Sequence, residues 1–243
     1  MQLTGTPNGS LPTPISIALV LGRGLGTLPA MEVLVIGGHG QVGLRLLRLL
    51  ARDGHRGRGV IRAAEQASDL EAANAEPVLC DLERGDDLRP HVGAADAIVF
   101  AAGAGPGSGP ARKRTVDYGA AVKSMQAASD LGVTRYVIVS SIGTHDVAGA
   151  AEAMRPYLQA KRDADDALKQ SGLEWTIVKP GHLTDAPGSG RVQVSRSFGG
   201  RADIPRDDVA IVLLECLQAP NTIGVEFELF EGDVPAREAV RSL

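Results

Sequence analysis

The sequence predicts an α/β domain, a doubly wound parallel sheet with helices on both faces. Three observations predict it. Short, nearly continuous apolar runs alternate with longer segments of helical periodicity, the order expected of parallel strands covered on both sides. A glycine-rich turn joins the first apolar run to the first helix. Aromatic residues are only 3% of the chain while glycines number 30. The core is therefore built from Ala, Val, Leu and Ile, with helices packed close on the sheet.

The elements follow in order from Met31. Residues 32–36 form a buried strand, ended by Gly37 and Gly38. Residues 41–52 are helical, with Val42, Leu46, Leu49 and Leu50 on one side. Residues 60–61 make a second short strand, 64–74 a helix, 77–80 a third strand and 97–100 a fourth. A long helix spans 115–131, a fifth strand 136–140, a further helix 152–170 and a sixth strand 175–178. Beyond these lie a short strand at 192–195, a helix over 206–217 and a strand over 225–230. No internal repeat and no interdomain linker interrupts this order. Residues 31–243 read as one domain with a small C-terminal part on the substrate side.

Composition limits the function classes. The chain has 243 residues, 44% hydrophobic and 22% charged, ordinary for a globular protein. Lys and Arg total 25 against 29 Asp and Glu, a net charge of -4, without the basic footprint of a nucleic-acid binder. Cys80 and Cys216 make neither a disulfide framework nor a zinc site, and the five histidines are scattered singly. No apolar stretch reaches the length of a membrane span. These features point to a soluble, cytoplasmic, metal-free protein.

Residues 1–30 differ from the rest. They are polar and rich in Gly, Pro, Thr and Ser, then carry the apolar run 15–21. No basic residues precede that run, so it does not read as a secretory signal. Glycines 22, 24 and 26 lack the spacing of a phosphate loop. The expectation is a loosely ordered extension; Met31 as the true first residue fits equally well.

Between the first strand and first helix stands Gly37-Gly38-His39-Gly40-Gln41-Val42-Gly43. Glycines 38, 40 and 43 match G-x-G-x-x-G, and 37, 40 and 43 match G-x-x-G-x-x-G. In this context the pattern is a dinucleotide fingerprint of the Rossmann type. Glycine lets the backbone turn tightly and approach a pyrophosphate, whose charge sits at the helix N-terminus. The second strand should end in Asp or Glu if it holds a free ribose 2′-hydroxyl. It ends in Arg62 instead, whose planar fork suits a 2′-phosphate. NADP(H) is thus favoured over NAD(H).

The chain resembles the atypical short-chain dehydrogenases/reductases, in the branch of the NAD(P)-dependent epimerase/dehydratase-like and NmrA-like proteins. The residues that carry the resemblance are the glycine loop, Val60-Ile61-Arg62, Cys80-Asp81-Leu82, Phe100-Ala101-Ala102-Gly103 and Thr115-Val116-Asp117-Tyr118. Val139-Ser140-Ser141, Tyr157-x-x-x-Lys161, Lys179-Pro180-Gly181 and Pro205-Arg206-Asp207-Asp208-Val209-Ala210 complete it. The resemblance implies that Asp81 contacts the adenine and that Leu82 flanks it. It implies that Ala101, Ala102 and Gly103 line the cofactor and that Pro180 and Gly181 touch its nicotinamide end.

Tyr157 and Lys161 are four apart on a predicted helix and face the same side. A phenol ionises near ~10, too high for acid–base work at neutral pH, and an adjacent ammonium favours the phenolate. The lysine can also hold the nicotinamide ribose. A serine hydroxyl then polarises the substrate carbonyl; Ser141 is the first candidate because it ends the fifth strand, and Ser140 is the alternative. Asp117 stands where the family's common tetrad has Asn. A carboxylate near Lys161 favours the ammonium and weakens its effect on Tyr157. The expected function is NAD(P)-dependent hydride transfer to or from a small carbonyl or ring compound. The alternatives are a non-catalytic NADP(H)-binding sensor and a sugar-nucleotide epimerase/dehydratase. The short C-terminal part disfavours the last.

Overall fold

The computed structural model describes Met1, residues 29–105 and residues 107–243. Most of the predicted N-terminal extension, residues 2–28, lies outside the described residues. The elements in chain order are β1 (Glu32–Ile36), α1 (Gln41–Arg52), β2 (Arg56–Ile61), α2 (Ala67–Glu71), β3 (Glu76–Leu79), α3 (Arg89–Val92) and β4 (Ala97–Phe100). Then come α4 (Pro110–Lys113), a π-helical stretch (Arg114–Ala120), α5 (Ala121–Asp130), β5 (Arg135–Val139), α6 (Arg155–Gln170) and β6 (Glu174–Pro180). The chain ends with β7 (His182–Thr184), β8 (Arg191–Ser195), β9 (Asp203–Pro205), α7 (Arg206–Gln218), β10 (Val225–Glu231), β11 (Val234–Pro235) and α8 (Ala236–Arg241).

Nine strands form one sheet in the order β3-β2-β1-β4-β5-β6-β10-β8-β11. Pairing is parallel from β3 through to β10. Only β8 and β11 add antiparallel pairs at the far edge. From β1 the chain winds outward through β2 and β3, then returns to place β4 on the other side of β1. That reversal opens a crevice at the carboxyl ends of the strands, where such folds hold ligands.

Alternation along the strands divides the core. Val33 and Val35 face one side with Leu46, Leu47 and Leu50 of α1 and Val209 and Leu213 of α7. Leu34 and Ile36 face the other with Met125 and Ala128 of α5 and Ala164 and Leu168 of α6. The sheet is thus covered on both faces, as the sequence predicts.

Several boundaries differ from the sequence expectation. β2 begins at Arg56 rather than at 60. Its Arg-Gly-Arg-Gly run looks like a loop, yet the glycines leave room for Leu47 and Leu70, which lie where their side chains would be. The long helix begins at Pro110 and passes through the π-helical stretch. The helix predicted for 64–74 is a short 3-10 turn followed by α2. β7 and β9 form a separate two-stranded parallel pair that no sequence pattern indicated.

A buried charge network ties α6 to β5, β6 and β10. The Ser140 hydroxyl donates to Asp165 Oδ2 at 2.7 Å, and Lys179 Nζ lies 3.6 Å from the same oxygen. Lys179 donates to Glu226 at 2.6 Å, and Lys169 also donates to Glu226, at 2.8 Å. Burial pushes the Asp165 carboxyl up to about 6, against the pull of Lys179 and the Ser140 hydrogen bond. In the unfolded chain an Asp titrates near ~3.9. The folded form therefore holds this proton more tightly. The stability so contributed is complete below about pH 4 and lost as the pH rises to about 6, a loss of about 2–3 kcal/mol. Asp165→Asn cannot titrate. Its stability relative to the unmutated protein should rise by about that amount between pH ~4 and ~7 in urea denaturation. A difference that does not change with pH would contradict this account.

Candidate functional site

Two cavities open at the carboxyl ends of the strands. The first, of about 310 Å³, lies over β1, β2 and β4. The glycine turn forms its floor. Gly37 has a φ of +84°, which glycine adopts without strain, and a Cβ there would meet Ala102 Cα at 2.7 Å. A Cβ on Gly43 would lie 2.3 Å from the Gly37 carbonyl oxygen, so α1 and the turn pack only with glycine. The Gly38 N–H donates to the Val60 carbonyl at 3.0 Å, and the Gly40 N–H to that of Gly37 at 2.9 Å. Gly40 stands at the N-terminus of α1, which has no side-chain cap and no acid in its first turn. This open, electropositive helix end beside a tight glycine turn fits an anionic pyrophosphate.

Within the turn, Gly37, His39 and Gly40 line the cavity. Val42 is buried in the core, and Gln41 Oε1 accepts a hydrogen bond from Arg45. His39 is held from both ring nitrogens, by Asp69 at 2.7 Å and by Gln66 at 3.2 Å. Arg62 is exposed on the cavity wall, and its backbone N–H donates to Gln66. Its guanidinium has no hydrogen-bonded or ion-paired partner among the described residues. Arg58 lies elsewhere, at the amino ends of the strands between Glu32 and Glu76. Asp81, Leu82, Ala101, Ala102 and Gly103 all line the cavity. The Asp81 carboxylate also accepts the N–H groups of Glu83 and Arg84, which fixes the turn after β3.

The second cavity, of about 730 Å³, lies beyond the ends of β5 and β6 and includes Ser141 and Gly181 in its wall. Ser140, the alternative serine, points inward to Asp165 instead. Pro180 is buried beneath the wall, its carbonyl accepting from the Ile142 N–H at 3.2 Å.

Between the cavities sits Lys161, 3% exposed. Its ammonium donates to the Val139 carbonyl at 3.0 Å and the Ala102 carbonyl at 3.4 Å, and lies 3.3 Å from Asp117 Oδ1. That last contact is one of charge rather than of hydrogen-bond geometry, since Oδ1 has no hydrogen-bond partner. Asp117 Oδ2 accepts the Ala104 N–H at 3.2 Å. Asp117 is fully buried because the π-helical stretch turns it inward. Tyr157, one turn before Lys161 on α6, is half-buried and lines neither of these two cavities. The Lys113 ammonium lies 5.1 Å from its ring centre.

Among the polar residues of the first cavity, sequence reasoning passed over Gln66 and Glu83. The basic run Arg112-Lys113-Arg114 reads in sequence as a solvated helix start that could also lie near the cofactor mouth; Arg112 lines this cavity, pairs with Glu83 and donates to the Ala104 carbonyl. Gln66 was legible only as a residue four after Arg62.

The sequence profile of the NAD(P)H-binding family matches residues 37–220. An uncharacterized sugar epimerase of Bacillus subtilis is 39% identical over 215 residues, spanning 88% of this chain and all of that one. A Bacillus halodurans protein of known structure, assigned as an NAD-dependent epimerase/dehydratase, is 40% identical. Its TM-score is 0.85, with 88% of this chain and 100% of the other covered. An oxidoreductase from Lactococcus lactis is 27% identical with a TM-score of 0.77, covering 88% of this chain and 96% of its own.

The buried pair generates a stability prediction. Lys161→Met leaves Asp117 buried without its cation and should lower stability by about 3–5 kcal/mol. Adding Asp117→Asn should recover much of that loss, because the amide oxygen still accepts the Ala104 N–H. Urea denaturation of the two single variants and the double variant gives the coupling. Additive losses would show the two groups to act independently.

Proposed function

The chain belongs to the NAD(P)H-binding family of oxidoreductase-like and epimerase-like Rossmann proteins, and from that membership we propose that it is an NADP(H)-dependent oxidoreductase. It transfers hydride to or from a small carbonyl or ring compound. The observation that carries this reading is the placement of Lys161. It contacts Ala102, in the wall of the first cavity, and Val139, two residues before Ser141 in the wall of the second. A cofactor site and a substrate site thus meet within a side chain's reach.

The chain's own residues divide the work. The glycine turn and the start of α1 would hold the pyrophosphate, and Arg62 a 2′-phosphate. Asp81 and Leu82 would border the adenine, and Pro180 and Gly181 are the residues that the family resemblance puts toward the nicotinamide. When bound, the nicotinamide would supply or accept the hydride. Ser141, whose hydroxyl is free of hydrogen bonds among the described residues, donates to the substrate carbonyl oxygen. Tyr157, which lines neither cavity, is the proton donor that the Tyr-x-x-x-Lys pattern names; it would have to turn toward that oxygen to deliver the matching proton, or to remove it in the oxidative direction. Lys161 and Asp117 keep the ends of β4 and β5 in place and set the charge beneath the reacting groups.

A non-catalytic NADP(H) sensor is the second reading. It draws on one specific observation: the Lys161 ammonium is already engaged by Asp117 and two carbonyls, which leaves it little freedom to serve Tyr157.

Two experiments test these readings. NADPH should bind more tightly than NADH, and Arg62→Ala should erase about tenfold or more of that difference in calorimetry, as expected for a charge-assisted bidentate contact. Equal binding of the two by the unmutated protein would remove the NADP(H) assignment. A screen of quinones, flavins and small aldehydes, followed by NADPH absorbance, should yield a substrate. Tyr157→Phe should then lower turnover by about 10²–10⁴ with NADPH affinity unchanged. Tight NADPH binding without oxidation by any compound supports the sensor, and full activity of Tyr157→Phe eliminates that residue as the acid–base group.

A further inference from the structure

Glu228 is 1% exposed, on β10, and the reaction proposed above makes no use of it. Its two carboxylate oxygens accept the N–H groups of Gly199 and Gly200, at 3.0 and 2.9 Å. Just beyond these glycines, the Ala202 carbonyl accepts the His182 N–H at 3.1 Å, where β9 begins to pair with β7. Residue 201 is therefore fastened on both sides, by a buried carboxylate before it and by a strand pair after it. That residue is Arg201, and it lies in the wall of the second cavity.

The polar groups around that cavity are unequally committed. Asp146 accepts the Gly149 N–H at 2.9 Å, and Asp203 lies 3.3 Å from His182 Nδ1. Arg201 has no hydrogen-bonded or ion-paired partner among the described residues. Nor has the Ser141 hydroxyl. The rest of the wall includes apolar groups, Leu158 and the 46% exposed Met154. An unpaired guanidinium on a fastened stretch of backbone, an unpaired hydroxyl and apolar side chains share one space.

We infer that the second cavity recognises a carbonyl compound with an apolar ring body and a carboxylate, the carboxylate held by Arg201 and the carbonyl by Ser141. A guanidinium pairs with a carboxylate through two parallel hydrogen bonds, which fixes orientation as well as affinity. A singly charged group suits the site better than a phosphate dianion, because Asp146 and Asp203 stand in the same wall. The choice of carbonyl rests on the oxidoreductase reading; the anion preference does not.

The test separates the two. The full chain saturated with NADPH is titrated by calorimetry with 4-(hydroxymethyl)benzoate and with its methyl ester, alcohols that cannot react with the reduced cofactor. The acid should bind about tenfold more tightly than the ester, and Arg201→Gln should bring the two within about twofold. Arg201 is exposed and outside the core, so melting temperature and NADPH affinity should be those of the unmutated protein. Turnover of 4-carboxybenzaldehyde against methyl 4-formylbenzoate should show the same preference in kcat/KM. Equal or absent binding of acid and ester, or a preference that survives in Arg201→Gln, overturns the inference. A preference lost in Arg201→Gln, with no carbonyl compound reduced, upholds the anion site and overturns the oxidoreductase reading alone.

Discussion

The arrangement of both cavities depends on one buried ammonium. Lys161 reaches from α6 to the carbonyls of Ala102 and Val139 and to the carboxylate of Asp117. β4 and β5, the residues just beyond them and the π-helical stretch therefore converge on a single charge. A lone cation in this place would be costly, and so would a lone carboxylate. Each is tolerated because the other is there, and because two backbone oxygens and the Ala104 N–H complete the set. The face of Phe100, 5.7 Å from the ammonium, adds a further favourable contact.

Away from the crevice the same device recurs. Arg135 is largely buried and donates to the Glu174 and Cys216 carbonyls and to the hydroxyls of Thr176 and Thr222. It joins β5 and β6 to the end of α7. Asp165 joins α6 to β5 through Ser140 and lies beside Lys179 of β6. With so few aromatic side chains, this core gains much of its cross-linking from polar groups satisfied inside it. A core of small aliphatic residues packs closely but specifies position weakly. Directional hydrogen bonds supply what shape does not.

The sheet and its principal helices were legible because their signals are local. The alternation of Val33 and Val35 with Leu34 and Ile36, and the glycine turn that follows, are each readable within a few residues. Arg62 and Ser141 were legible for a different reason: the carboxyl end of a strand is a defined place in this fold, and both border a cavity there. Depth was not legible. The four-residue spacing of Tyr157 and Lys161 puts both on one side of a helix, yet one is buried between cavities and the other half-exposed. Spacing sets direction around a helix axis; what the side chain meets depends on neighbours distant in sequence, here Ala102 and Asp117. The three-residue strands β7 and β9 are too short to show alternation, so the fixed placement of Arg201 left no trace in the pattern. Arg56–Ile61 was cut short because its glycines, needed under Leu47 and Leu70, look like those of a turn.

The π-helical stretch sets a rotational phase along a continuous run of helix. Before it, Arg112 faces the first cavity; within it, Asp117 faces inward; after it, Ser124 and Met125 face the core. A π-turn takes up about one residue more than an α-turn, so the runs before and after it keep their facing while the residues inside it are displaced. Deleting one residue between Arg114 and Ala120 would restore regular winding: Ser124 would keep the Tyr136 hydroxyl, to which it is bonded at 2.7 Å, and Asp117 would turn away from Lys161. The length of this stretch is accordingly under tighter constraint than the identity of its exposed residues. Substitution at Arg114 or Thr115 is a small perturbation, whereas loss of a single codon there would part the buried carboxylate from its ammonium.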